Sequence, residues 1–163
     1  MQPPVRRHPG RPASTTRTPK EDIKATSWAS DPAVRARMQR QQTRDTGPEL
    51  ALRRLLHAAG LRYRVDVAPL GSLRRRADIV FGPARVAVFV DGCFWHGCSE
   101  HGSRQTKANT TYWSDKIARN RARDASTDDL LARAGWLVVR VWEHENALHA
   151  AQRIGMIVRE RRR

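Results

Sequence analysis

Apolar positions along the chain repeat with two periods, close to four residues in some stretches and two in others, and the changes between them predict its elements. Thr46-Gly47-Pro48-Glu49 has the spacing of a capping box. Leu52, Leu55, Leu56 and Ala59 then share one helical face until Gly60 ends it. Tyr63, Val65 and Val67 alternate with polar residues as a half-buried strand does, and Pro69 to Ser72 turn the chain. A second strand is predicted from Ala77 to Phe81. After the Gly82-Pro83 turn, Val86-Ala87-Val88-Phe89-Val90 is an unbroken apolar run, as expected of a central strand covered on both faces. Gly97 to Asn109 is polar and irregular. Helical character returns from Thr111 to Ala134 through Trp113, Ile117, Leu130 and Leu131, with Gly135 as its stop. Trp136 to Trp142 reads as a buried strand, and Leu148, Ala151, Ile154 and Ile157 mark a last amphipathic helix ending in cations that complement its dipole. Helix, three strands, helix, strand, helix predicts an α/β domain, a mixed sheet flanked by helices.

Before this domain, which we bound at 46–160, the pattern weakens. Residues 1–30 begin with Arg6, Arg7, Arg11, Arg17 and Lys20 among five prolines, a disordered basic arm by composition. Asp31-Pro32 opens a short basic helix over 31–45 that carries Val34, Met38 and Gln41. The prolines argue against an amphipathic transit peptide, and no apolar run resembles a secretory signal, so the expected location is the cytoplasm.

Charge narrows the function. Thirty-one Lys and Arg against sixteen Asp and Glu leave a formal +15, which suits a polyanion, nucleic acid above all. No membrane partner is expected, because no stretch approaches eighteen apolar residues and the basic helices lack a wide apolar face. The two cysteines, Cys93 and Cys98, are too few for a disulfide scaffold.

Asp91-Gly-Cys-Phe-Trp-His-Gly-Cys-Ser-Glu-His101 is the densest chemical segment. Cys93, Cys98 and His101 are close in sequence, and His144, just past the last strand, can return as a fourth ligand. Two thiolates and two imidazoles compose a closed tetrahedral zinc site. The competing reading is two buried thiols or a disulfide, with surface histidines. Asp78 and Asp91 lie at one end of the predicted hairpin, as a paired-carboxylate Mg²⁺ site or as solvated acids capping turns. Arg74, Arg75 and Arg76, and Arg161 to Arg163, are phosphate contacts or solvated charge.

Val88-Phe-Val-Asp-Gly-Cys-Phe-Trp-His-Gly-Cys98, with Arg44-Asp-Thr46 and Glu49 before it and Tyr112-Trp-Ser-Asp-Lys-Ile117 and Asn120 after it, resembles the very-short-patch mismatch-repair endonucleases. The resemblance runs from about Trp28 to about Ala147. It implies a restriction-endonuclease-like fold with a structural zinc site, and a nick 5′ of the thymine in a T·G mismatch in double-stranded DNA. Asp78 and the Val90 carbonyl would then hold catalytic Mg²⁺, His96 would be the base, and Glu49 would support it. Zn²⁺ would take Cys93, Cys98, His101 and His144. Where the best-known member has a second catalytic histidine, this chain has Asp91, which we read from its position as a further Mg²⁺ ligand.

By the same resemblance Phe94, Trp95 and Trp113 form an aromatic wedge beside the mismatch, with Met38 entering from the minor groove. Wedges unstack a step most cheaply where pairing is already poor. Lys116 and Asn120 would face DNA with Trp113. A monomer is expected, since a mismatch has no two-fold symmetry, and a cytosine methyltransferase is a possible functional partner. The alternatives are a sequence- or structure-selective restriction-type nuclease on the same fold, and a non-catalytic zinc-stabilised DNA-binding module.

Overall fold

A computed structural model describes residues 44–101 and 110–163. The basic arm 1–30, nearly all of the helix expected over 31–45 with Met38, and residues 102–109 of the polar segment lie outside the described residues.

In chain order the elements are α1 (Gly47–Ala58), β1 (Arg64–Val67), β2 (Ala77–Phe81), β3 (Val86–Asp91), α2 (Cys93–His96), α3 (Thr110–Arg133), β4 (Leu137–Trp142) and α4 (Ala147–Glu160). The strands form one sheet of order β1-β2-β3-β4. The first three pair antiparallel, whereas β3 and β4 run parallel, with Asp91 opposite Trp142. The expected mixed α/β architecture is therefore present. The helical turn α2, unforeseen in the sequence, is an addition to it.

Helices cover both sheet faces. On one side Leu52 and Leu56 of α1 and Ala150, Ile154 and Val158 of α4 pack on Ile79, Phe81, Val86, Val88, Val139 and Val141. On the other, Leu131 of α3 packs with Ala77, Val80 and Ala87, flanked by Phe89, Trp136 and Val138. Both faces of β3 are thus buried, which is why its sequence is continuously apolar. Among the described residues no helix is long and apolar enough to cross a membrane.

The alternation of β2 breaks at one place. Ala77 and Val80 belong to one cluster and Ile79 and Phe81 to the other, so the strict period of two fails around Asp78. The Asp78 carboxylate there accepts a hydrogen bond from the Val90 N–H of the neighbouring strand (2.7 Å).

Several expected surface charges tie the fold together instead. Arg75 reaches α3, donating to the Arg123 carbonyl (3.0 Å) and to Thr127 Oγ1 (2.6 Å). Arg76 pairs with Asp66, and Arg161 donates to the Ala84 and Gly135 carbonyls, both at 2.9 Å.

Candidate active site and metal-binding cluster

Parallel pairing of β3 and β4 places the residues that follow each strand side by side. The chain leaves β3 at Asp91, turns through Gly92 and forms α2, while the chain leaving β4 passes through Glu143 to His144. The Glu143 carboxylate accepts the Cys93 N–H (2.7 Å), capping α2 from the neighbouring strand end. Gly97 ends α2 in the left-handed region at φ 64°, and a Cβ there would meet Ile117 Cγ2 at 2.7 Å, so only glycine fits. This tight turn lets the Cys98 N–H bond back to the Cys93 carbonyl (2.9 Å).

The ligand atoms of Cys93, Cys98, His101 and His144 consequently lie within 4.8 Å of one another. His144 Nδ1 is 3.0 Å from Cys93 Sγ and 3.8 Å from Cys98 Sγ, and its ring lies 4.4 Å from that of His101. Both thiols are free and buried, so the disulfide reading does not describe this state. Burial first, then Cys98 and Glu143, push the Cys93 thiol up to about 11. A cation among the ligands would reverse that preference, since coordinated thiols are deprotonated. Two sulfurs and two imidazoles at this spacing fit one tetrahedral ion with bonds of about 2.0–2.3 Å.

The second constellation surrounds the end of β3. Burial, offset by the Val90 N–H and reinforced by the charges of Glu49 and Asp91, pushes Asp78 up to about 6. A half-buried carboxylate crowded by the charges of two others is a site that a hard cation would relieve.

Glu49 is buried but stands differently from expectation. Its carboxylate receives the Thr46 hydroxyl (3.0 Å), the Asp45 N–H (3.0 Å) and Arg53 Nη2 (2.8 Å), while Thr46 makes no side-chain cap. The Glu49 carboxylate thus reaches one residue past the Thr46 N–H that a capping box would use, and the partner of His96 is another residue. His96 Nδ1 lies 2.6 Å from Asp124 Oδ2, with Asp91 Oδ1 behind it at 3.6 Å.

Asp91, read in the sequence as an Mg²⁺ ligand, is buried with both oxygens bonded by Arg140 Nη1, at 3.0 and 2.8 Å. Asp124, Asp128 and Arg140 were not singled out in the sequence. Arg140 carried a usable signal, being the one charge in the strand Leu-Val-Val-Arg-Val-Trp, where an ion requires buried partners.

Phe94, Trp95 and Trp113 form one cluster of mutually edge-on rings, with centroids 5.0 to 5.7 Å apart. Phe94 and Trp95 are half-buried, whereas Trp113 forms the buried floor of the cluster. Lys116 Nζ lies 5.0 Å from the Trp95 ring and 5.3 Å from that of Trp113. Asn120 turns inward: its Nδ2 donates to the Trp95 carbonyl (2.8 Å), so it positions the wedge residue.

Residues 29–101 match the family described as DNA mismatch endonuclease Vsr. The chain is 50% identical over 110 residues to the type II nicking enzyme V.NaeI of Lentzea aerocolonigenes, covering 66% of each protein. It is 38% identical over 128 residues to the type II nicking enzyme V.NmeDIP of Neisseria meningitidis serogroup C, covering 76% of this chain and 84% of that one. To the DNA mismatch endonuclease Vsr of Escherichia coli K12 it is 38% identical over 114 residues, covering 69% of this chain and 71% of that protein.

Proposed function

Because the chain belongs to the Vsr family of DNA mismatch endonucleases, we propose that it nicks double-stranded DNA on the 5′ side of the thymine in a T·G mismatch. The observation that carries this reading is the His96–Asp124 pair at 2.6 Å, joined through Asp91 to the half-buried Asp78. Asp91 links the two: it is 3.6 Å from His96 Nδ1, and its charge is felt at Asp78.

An ionised carboxylate only accepts hydrogen bonds, so Asp124 selects the tautomer of His96 with its proton on Nδ1. The Nε2 lone pair is left to take the proton of the attacking water, a contribution of about 10²- to 10⁴-fold. Asp78 and the Val90 carbonyl would hold Mg²⁺ through oxygen, and Cys93, Cys98, His101 and His144 would hold a structural zinc ion through sulfur and imidazole nitrogen. When bound, Mg²⁺ would draw charge from the phosphate oxygens. Glu49, fixed by Arg53, contributes negative charge to the Asp78 pocket.

Deamination of a methylated cytosine opposite guanine yields this mismatch, which would link the enzyme to a cytosine methyltransferase. One asymmetric lesion calls for one monomer. The test is single-turnover nicking of a panel of duplexes, each with one mismatch in several contexts, with and without Mg²⁺. T·G duplexes should be nicked on the thymine strand only. Equal cutting of fully paired duplexes would instead support a sequence-selective nuclease, and binding without cutting a non-catalytic module.

Wedge residues read how easily a step deforms, whereas phosphate contacts do not. Trp95→Ala removes a stacking contribution of about 1–3 kcal/mol. The ratio of Kd values for paired and T·G duplex should therefore fall by roughly tenfold, with affinity for paired duplex little changed. A uniform loss of affinity with the ratio intact would remove Trp95 from this role.

A further inference from the structure

Arg140 makes more contacts with the site than pairing with Asp91 would require. It leaves β4 on the α3 side, its guanidinium 5.1 Å from the Phe89 ring. Nη1 holds both oxygens of Asp91, Nε and Nη2 grip Asp128 at 3.0 and 2.9 Å, and Nη2 also reaches the Asp124 carbonyl at 3.4 Å. Burial works against its charge, but the bonds to Asp128 and Asp91 outweigh it and keep the guanidinium protonated. One cation thus lies among three carboxylates, two of which also approach His96.

Those two compete for the same proton. Asp124 Oδ2 is 2.6 Å from His96 Nδ1, and Asp91 Oδ1 is 3.6 Å from it. The Nε and Nη2 fork on Asp128 fixes the direction of the guanidinium, and Nη1, aimed by that fork, holds both oxygens of Asp91 away from a closer approach to His96. Released, Asp91 would either draw the imidazole away from Asp124 or turn toward Asp78, whose carboxylate already feels it.

We propose that Arg140 is a positioning residue for strand cleavage: by holding Asp91 aside, it leaves Asp124 to orient His96 with Nε2 toward the reacting water. This rests on the reading of His96 as the base. Displacement of a reacting group by about 1 Å costs on the order of 10²-fold in rate, with substrate affinity preserved.

The test uses the zinc-loaded protein and T·G duplex. Arg140→Met should lower the single-turnover rate about 10²-fold while the Kd for mismatched duplex changes by less than about threefold. Asp91→Asn combined with Arg140→Met removes the competing charge along with its clamp, and should run at least about tenfold faster than Arg140→Met alone. Relief of an unpaired buried Asp91 would also restore a purely structural pair, so rates are compared at a temperature where both variants are fully folded; a double variant no faster than Arg140→Met under that condition would overturn the proposal. Folding is checked by melting temperature. Independently of any Arg140 variant, long-range ¹H–¹⁵N spectra of histidine-labelled wild-type protein should show His96 protonated on Nδ1 and bare on Nε2. The opposite tautomer would also overturn the proposal. A wild-type rate in His96→Ala would instead refute the base assignment itself.

Discussion

Asp78→Ala is expected to abolish Mg²⁺-dependent nicking, by at least about 10³-fold, while binding of T·G duplex stays equal or tightens. Affinity should not fall, because removing a carboxylate also removes repulsion toward the phosphate. The same residue gives a second readout in stability. Burial first, then the charges of Glu49 and Asp91, raise the Asp78 carboxyl to about 6, above its ordinary 3.8. A carboxyl whose folded pKa lies above its unfolded value binds its proton more tightly when folded. Its ionised form therefore weakens the fold: the penalty is complete above about pH 6, shrinks as pH falls through that value, and is gone below the unfolded value of 3.8. Without added Mg²⁺, Asp78→Asn should melt above wild type at pH 8, and the two should converge toward pH 4. Added Mg²⁺ should then raise the melting temperature of wild type and leave the variant where it was. A Mg²⁺ response retained in Asp78→Asn, together with wild-type nicking in Asp78→Ala, would show that the metal sits elsewhere.

Features governed by local periodicity could be read from the chain, and those governed by long-range pairing could not. The apolar run Val86–Val90 reads directly as a strand buried on two faces, and its neighbours cover both. The expected zinc ligands Cys93, Cys98 and His101 are near each other in sequence. His144 joins them because β4 lies parallel to β3, a pairing that the apolar pattern of either strand does not specify. Asp124 and Arg140 were missed for the same reason: they meet His96 and Asp91 only once α3 crosses the sheet above β4. Glu49 shows the opposite failure. The Thr46–Glu49 spacing is a local signal, but the buried Arg53 four residues further along takes the carboxylate and bends the expected cap into an ion-pair network. Asn120 and Trp113 follow suit, since their helical spacing is evident but not which of them faces inward.

Removal of zinc is expected to have the largest effect on stability of any single change. Purified protein should contain one zinc per chain by elemental analysis. Cys98→Ala or His144→Ala should lower both the melting temperature and the soluble yield, because metal coordination supplies about 10 kcal/mol or more of folding energy to segments like this one. Among the described residues α2 is held by the Glu143 cap, by Asn120 on the Trp95 carbonyl, by the His96–Asp124 bond and by the aromatic cluster, while Ser99, Glu100 and His101 are exposed. His96 lies between the two proposed cysteine ligands, so an ion that anchored the loop would also fix the proposed base beside Asp124. Asp78, by contrast, is carried on β2 within the sheet and does not depend on the loop. A chelator should therefore eliminate nicking in a way that excess Mg²⁺ alone cannot restore and Mg²⁺ together with stoichiometric Zn²⁺ can. Cobalt reconstitution should give the thiolate-to-metal absorption of a two-sulfur tetrahedral site, and that absorption should weaken in Cys98→Ala. Folded, active protein that contains no zinc would refute the site and leave Cys93 and Cys98 as buried thiols.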